Sequence, residues 1–82
     1  MLLNKIGKRL KQERLKNNLT LETLSNMTNI SISTLSNIEN DKVENISGVF
    51  LYRLSKVLHL DYEEMLKYRF ASYYRKKGII NV

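Results

Sequence analysis

Residues 20–40 constrain the fold of this chain more than any other stretch. The segment TLETLSNMTNISISTLSNIEN places two hydroxyl side chains, Thr20 and Ser31, each just before a run with helical spacing of apolar residues. A hydroxyl at such a position accepts a hydrogen bond from a free amide of the first helical turn. Asn29 stands where the chain must reverse, and Asn tolerates the left-handed conformation that ends many helices. The stretch therefore predicts two short helices joined by a tight bend.

The two predicted helices have an apolar inward face and an uncharged outer face. The inward residues are Leu24, Ile30, Leu35 and Ile38. The outer face of the second helix holds Ile32, Ser33, Ser36 and Asn37. Short or hydrogen-bonding side chains without charge suit the donor and acceptor edges of DNA bases.

The rest of the chain also has helical periodicity. It contains no Pro and only three Gly in 82 residues, which favours an all-α domain. Further helices are predicted at about Asn4 to Asn17, from near Ser47 to about Leu58, and after Asp61. Their predicted core residues are Ile6, Leu10, Leu15, Phe50, Leu51, Leu54, Leu58, Met65 and Leu66.

The order of residues in the central stretch resembles a known family. The shared pattern is Leu19-Thr20-x-x-x-Leu24-Ser25-x-x-x-Asn29-Ile30-Ser31-x-x-Thr34-Leu35-Ser36-x-Ile38-Glu39-Asn40. It resembles the helix-turn-helix of phage repressors and Cro, the Xre-like family of bacterial regulators, over about residues 5–66. The resemblance implies a five-helix, lambda-repressor-like DNA-binding domain in residues 1–66, in which helices 2 and 3 form the helix-turn-helix.

The chain departs from the family pattern at several positions. Leu21 stands where Gln is common and Ser25 where a small Ala is usual, so one polar contact to DNA lacks its usual side chain. Asn29 and Asp41 stand where Gly is usual. Ser is a sterically acceptable replacement for Ala, and Asn for Gly.

The resemblance also implies where DNA would be contacted. The base-reading positions carry over to Ile32, Ser33, Ser36 and Asn37, and the phosphate-contacting positions to Thr20, Leu21, Asn40 and Lys42. Asn37 can pair with adenine N6 and N7, and an exposed Ile32 can pack on a thymine methyl, so a site rich in A·T is expected. The alternative for Ile32 is burial as a cap on the core.

An ion pair is expected to brace the recognition helix. In the family, an Arg of the first helix pairs with a Glu at the end of the third, and Arg14 and Glu39 occupy these positions. We therefore predict a partly buried pair with the bidentate geometry that a guanidinium favours. The alternative is that both are independent surface charges.

The net charge of +6 is concentrated at the two ends of the chain. Residues 5–16 carry six basic side chains and one acidic, residues 17–66 carry three basic and seven acidic, and residues 67–82 carry five basic and none acidic. Basic ends are what a phosphate backbone attracts. The alternative is a solvated basic surface without a partner.

Residues 67–82 form a basic and aromatic extension beyond the family pattern. No helix breaker precedes Gly78, so the fifth helix is predicted to continue to Lys77. A stripe of Tyr62, Leu66, Phe70 and Tyr73 or Tyr74 would need a partner surface, and a second copy is the simplest one. We predict a dimer interface at Phe70, Tyr73 and Tyr74. The alternative is that these aromatic residues fold back onto their own domain.

No cofactor, metal or catalytic site is predicted. His59 lies in a short turn where the family commonly has Gly, and it is better explained as a helix-end residue than as a ligand or base. Asp61 and Glu64 fit a helix capping box, whereas a hard cation would need six or more oxygen ligands. The chain has no Cys, which excludes thiolate metal sites and disulfides.

These residues favour one class of function over two others. The leading one is a sequence-specific regulator, more specifically a repressor, that reads a near-palindromic operator in double-stranded DNA as a homodimer. The second is a protein-interaction module of antitoxin or anti-repressor type that uses the C-terminal tail, and the third, an enzyme, lacks any nucleophile–base arrangement. No apolar run approaches the roughly 20 residues of a membrane span. A cytoplasmic protein without a small-molecule domain is predicted, and Met1 with no linker-like end favours a complete one.

Overall fold

Five helices build the part of the chain that the computed structural model describes, residues 6–43 and 45–76, with side chains described as far as residue 70. The helices are α1 (Ile6–Lys16), α2 (Leu21–Thr28), α3 (Ile32–Glu39), α4 (Gly48–Val57) and α5 (Tyr62–Lys76), and these residues contain no strand. The all-α, five-helix prediction is confirmed. The predicted start of the first helix at Asn4 and end of the fifth at Lys77 lie outside the described residues.

A hydroxyl side chain opens each of the three central helices. Thr20, Ser31 and Ser47 accept hydrogen bonds from amides three residues ahead, at 3.0, 3.1 and 3.4 Å. Each such cap stabilises a helix by about 1 kcal/mol relative to Ala. The caps predicted at Thr20 and Ser31 are present.

The start of α5 differs from the predicted capping box. Asp61 Oδ1 accepts a hydrogen bond from the Glu63 amide at 3.2 Å, so Asp61 does cap the helix, although through the amide two residues on and not that of Glu64. The Glu64 carboxylate turns instead to the Arg9 guanidinium on α1, at 3.0 Å. A full positive charge within reach is a stronger partner for a carboxylate than a backbone amide that water can also satisfy.

Four helices end on a left-handed residue that is not glycine. Asn18, Asn29, Asp41 and His59 all have φ of 58°. After Asn18, Asp41 and His59, the following amide returns to a carbonyl five residues earlier, at 3.1, 2.8 and 2.8 Å, which satisfies the open end of the helix. Asn29, Asp41 and His59 are the positions where the family pattern commonly has Gly, and this backbone conformation explains why.

The core lies where the five helices meet. Its residues are at most 3% exposed and are Ile6, Leu10, Leu24, Ile30, Leu35, Ile38, Ile46, Leu51, Leu54, Leu58 and Met65. Phe50 and Leu66 pack partly buried against them. The prediction for Leu15 was wrong, because Arg14 takes the inward position one turn after Leu10 and leaves Leu15 55% exposed.

Gly7 lets α1 approach the end of α3. A Cβ atom at Gly7 would collide with the carbonyl oxygen of Ile38 and lie 2.9 Å from that of Glu39. Both obstacles are backbone atoms, which cannot swing aside as the end of a side chain can. The contact between these two helices therefore depends on the absence of a side chain at residue 7.

We expect Gly7→Ala to lower the free energy of unfolding by about 1–3 kcal/mol, because the added methyl overpacks a backbone contact. Gly48→Ala is the matched control: its Cβ would lie 3.4 Å from Tyr62 Oη, an ordinary van der Waals distance. Urea unfolding followed by helical circular dichroism measures both. Equal stability of the two variants would contradict the role of Gly7.

Candidate nucleic-acid interface

A buried ion pair joins α1 to the end of α3. Arg14 Nε donates to Glu39 Oε2 at 2.7 Å and Nη2 donates to Oε1 at 3.1 Å, so the pair is bidentate. Arg14 is 7% exposed and Glu39 is 9% exposed. The alternative of two independent surface charges does not describe these residues.

The same guanidinium also holds the turn that leads into α2. Arg14 Nη1 donates to the carbonyl oxygen of Leu19 at 2.7 Å. That carbonyl directly precedes Thr20, the capping residue of α2. One side chain thus connects the end of α1, the start of α2 and the end of α3.

The bend between α2 and α3 is closed by local hydrogen bonds. The Asn29 amide donates to the Ser25 carbonyl at 2.8 Å, and Thr28 Oγ1 donates to the Leu24 carbonyl at 2.7 Å. Ile30 follows with 1% exposure and anchors the bend in the core. With both helix starts capped and the bend anchored, α2 and α3 form a rigid helix-turn-helix unit.

The predicted base-reading residues lie together on the outer side of α3. Ile32 is 45% exposed, Ser33 and Asn37 are also exposed, and Ser36 is half-buried beside them. Burial of Ile32 as a cap on the core, the alternative, is not found. Spacings of three or four residues, 32 to 36, 33 to 36 and 33 to 37, place these side chains on one face of the helix.

The four predicted phosphate-contacting residues do not share one environment. Lys42 is exposed just beyond α3. The Thr20 hydroxyl is engaged as a cap and lies 2.9 Å from Thr23 Oγ1, and the first amides of α2, including that of Leu21, have no acceptor within the helix. Asn40 turns its side-chain amide back onto Ser36, with Nδ2 2.9 Å from the Ser36 carbonyl oxygen.

These features match a known protein family over residues 7–68, and that family is the helix-turn-helix domain. The chain belongs to the helix-turn-helix domain family. This family and its SinR-like members are DNA-binding regulators and not enzymes. No curated protein sequence matches the chain.

Solved structures similar to this helix-turn-helix protein include three of SinR. One is the crystal structure of SinR, described as the master regulator for biofilm formation, in complex with DNA. Its sequence is 34% identical to this chain, the match covers 74% of this chain and 97% of that chain, and the TM-score is 0.69. The N-terminal DNA-binding domain of SinR from Bacillus subtilis is 34% identical, with coverage of 74% and 88% and a TM-score of 0.70. The matched chain of the SinR/SinI protein complex is 29% identical to this chain. The match covers 93% of this chain and 67% of that chain, with a TM-score of 0.71.

Both arginines of the basic helix α1 bind groups within this helix-turn-helix domain. Arg14 belongs to the buried pair, and Arg9 lies 3.4 Å from Glu13, 3.0 Å from Glu64 and 3.2 Å from Tyr68 Oη. Burial by itself lowers the pKa of Arg9, but the hydrogen bonds to Tyr68 and Glu64 and the charge of Glu64 together raise it above its ordinary value. Lys8, Lys11 and Lys16 remain exposed, so the first helix offers less free positive charge than its sequence indicates.

Helix α5 is tied to the helix-turn-helix domain by contacts that the sequence did not indicate. Tyr68 packs its ring under the Arg9 guanidinium, 5.4 Å from ring centroid to Cζ. Arg69 Nη1 donates to the Ile46 carbonyl at 2.9 Å, and Tyr62 Oη donates to the Gly48 carbonyl at 3.3 Å. Both carbonyls flank Ser47, which caps α4. The partner carbonyls lie 14 and 23 residues away in the sequence, and the residue type alone does not indicate which carbonyl a side chain will contact. No sequence signal therefore identifies these contacts.

The predicted dimer stripe is divided between two environments. Tyr62 folds back onto its own domain, where its ring meets the Tyr52 ring edge-on at 5.5 Å. Phe70 is 58% exposed. The side chains of Tyr73 and Tyr74 lie outside the described residues, so their part of the interface stays a prediction.

No metal site or membrane-spanning helix occurs in the described part of the chain. Its residues contain no group of three or more His, Cys, Asp or Glu side chains that could hold a metal ion. None of its helices is long and apolar enough to cross a membrane.

We expect Arg14→Met to lower the free energy of unfolding by about 3–5 kcal/mol, because the Glu39 carboxylate would stay buried without its partner. The double variant Arg14→Met with Glu39→Met should recover part of that loss, since no unpaired charge then remains. Lys16→Met, an exposed change on the same helix, is the control and should stay within about 0.5 kcal/mol of wild type. Chemical unfolding of all four proteins gives the comparison, and a double variant as unstable as Arg14→Met would contradict the stranded-charge explanation.

Proposed function

We propose that this chain is a sequence-specific DNA-binding transcription regulator, a repressor that occupies a near-palindromic operator as a homodimer in the cytoplasm. The observation that carries the proposal is the exposed, uncharged hydrogen-bonding face of α3, held by the buried Arg14–Glu39 pair. The similarity to SinR in complex with DNA supports it.

In this proposal α3 enters the major groove and its outer face reads the bases. Asn37 forms paired hydrogen bonds with adenine, Ser33 and Ser36 donate to or accept from base edges, and Ile32 packs on a thymine methyl. An uncharged face can read base edges because these present hydrogen-bond donors, acceptors and methyl groups. Basic side chains elsewhere on the protein can then contact the phosphates.

The ends of α2 and α3 position the domain on the phosphate backbone. The first amides of α2, held in place by the Thr20 cap, point out of the helix where its dipole is positive, which favours a phosphate. The exposed Lys42 adds one charge beyond α3, and the exposed lysines of α1 add long-range attraction. These contacts fix the register of the protein on DNA without reading sequence.

Repression would follow from occupancy, because a bound dimer excludes other proteins from the same DNA. Two copies joined through Phe70, Tyr73 and Tyr74 would present two α3 helices to half-sites about 34 Å apart. Residues 67–82 would then serve as the dimerisation segment, although α5 itself runs without a break across residue 66.

A second candidate function is a protein-interaction module of antitoxin or anti-repressor type. The observation that favours it is the similarity to SinR in the SinR/SinI complex, which covers 93% of this chain and so extends into its C-terminal extension. In that case the extension binds a different protein and DNA binding is secondary.

Selection of bound duplexes from a random DNA pool tests the proposed function, with the mass of the protein in solution recorded alongside. We expect an enriched near-palindrome and the mass of a dimer on it. A protein that enriches no sequence at moderate salt would contradict the proposal, and co-purification of a different protein through the extension would favour the second candidate.

Asn37→Ala should weaken binding to the selected operator by about 1–3 kcal/mol and leave non-specific binding unchanged, because it removes base contacts only. Asn26→Ala, an exposed amide on α2, is the control. Titrations with operator and scrambled duplexes measure the difference. An equal loss on both duplexes would remove Asn37 from the base-reading residues.

Lys42→Ala should weaken binding to every duplex and reduce the slope of log K against log salt by about one, as expected for one lost phosphate contact. Lys56→Ala, an exposed lysine on α4 outside both basic ends of the chain, is the matched control and should keep the wild-type slope. Titrations at several salt concentrations test this, and an unchanged slope for Lys42→Ala would contradict a phosphate contact at this residue.

A further inference from the structure

The side chain of Asn40 contacts both the backbone and the hydroxyl of Ser36. Asn40 Nδ2 lies 2.9 Å from the Ser36 carbonyl oxygen and 3.3 Å from Ser36 Oγ. Asn40 is the residue that follows α3, and Ser36 lies one turn earlier on the outer face. The first of these bonds orients the amide group with its nitrogen towards Ser36, because a carbonyl oxygen accepts but does not donate.

The end of α1 contains the same arrangement without a hydroxyl. Asn17 Nδ2 donates to the Glu13 carbonyl at 2.7 Å, again from the residue that follows a helix to a carbonyl four positions earlier. The backbone bond therefore recurs at the ends of two helices, α1 and α3. Of these two Asn residues, only Asn40 also contacts a serine hydroxyl.

The contact with Asn40 restricts what the Ser36 hydroxyl offers to DNA. A free serine hydroxyl rotates and serves equally as donor or acceptor. With a lone pair of Oγ engaged by Asn40 Nδ2, the hydroxyl proton must point away from Asn40. The hydroxyl then keeps its proton and one lone pair for other partners, where a free hydroxyl would offer the proton and two lone pairs, so the balance shifts towards donation.

We propose that Asn40 is a positioning residue that makes Ser36 a donor to base edges, and this inference rests on the proposed function. A hydroxyl held as donor favours an acceptor edge, such as guanine O6 and N7 or thymine O4. It disfavours the amino groups of adenine N6 and cytosine N4, which are themselves donors. Asn40 thereby contributes to specificity through Ser36, rather than by contacting a phosphate.

The energetic reason is that the interface excludes water. In free protein the Asn40–Ser36 contact is exposed, so water competes with it. When DNA covers α3, a polar group facing the wrong edge loses its bond to water without gaining another. The orientation of one hydroxyl then matters far more than it does in solution.

Random-pool selection with Ser36→Ala, Asn40→Ala and Asn40→Asp tests this inference, with Asn17→Ala as the matched control. The base pair read by Ser36 is the one whose preference disappears in Ser36→Ala. Asn40→Ala should reduce the preference at that same pair by up to about tenfold, since the hydroxyl regains its second lone pair as an acceptor. Asn17→Ala loses the same kind of helix-end bond and should leave every base preference unchanged.

Asn40→Asp makes the sharper test. A carboxylate can only accept, so the Ser36 hydroxyl would donate to Asp and present a lone pair to the DNA. The preference should then shift from an acceptor edge to a donor edge at the Ser36 pair, while the added negative charge weakens binding to all duplexes. Thermal unfolding of each variant verifies that the comparison is made between folded proteins.

The outcomes separate this inference from the proposed function. If Asn40→Ala and Asn40→Asp keep the wild-type preference at the Ser36 pair, or if Ser36→Ala changes no preference, the inference is wrong and the regulator remains. If Asn40→Ala weakens all duplexes equally, Asn40 is a phosphate contact and the inference is also wrong. If wild type enriches no sequence, the proposed function itself fails.

Discussion

The fold depends on the Arg14 guanidinium, because it is a buried charge on α1 that two other segments must satisfy. Two of its nitrogens bind the Glu39 carboxylate at the end of α3, and the third binds the Leu19 carbonyl before α2. A buried charge that loses a partner costs several kcal/mol, so the three segments keep one relative placement or lose much of the stability of the domain. Gly7 supports the same contact by allowing the backbone of α1 to reach the end of α3.

Among the basic residues whose side chains the structure describes, two kinds can be told apart that the net charge does not separate. Arg9, Arg14 and Arg69 act as structural donors, to carboxylates, to a tyrosine hydroxyl and to backbone carbonyls. The lysines with described side chains are exposed and keep their charge at the surface. This division follows from chemistry: a planar guanidinium offers several fixed donors to a part-buried site, whereas a lysine ammonium is strongly hydrated and stays at the surface.

Helix α5 belongs to the domain as much as to the extension. Tyr62 and Arg69 hold the two carbonyls on either side of Ser47, and Tyr68 packs against Arg9 on α1. A partner that binds further along α5 would therefore bind a helix that also contacts α1 and the start of α4. In the proposed regulator, a single packed core connects helix α3 to the start of the proposed dimerisation segment, residues 67–82.

The sequence by itself determined the helices, their caps and the helix-turn-helix, because these depend on neighbours within a few residues. Thr20 and Ser31 as caps and Asn29 in the bend could all be predicted from local chemistry, and the Arg14–Glu39 pair from the family pattern. Only the tertiary structure decided that Leu15 is exposed, that Glu64 binds Arg9 and that Arg69 reaches the Ile46 carbonyl. Those outcomes depend on which distant groups the packing of helices brings within hydrogen-bonding distance, and local sequence does not carry that information.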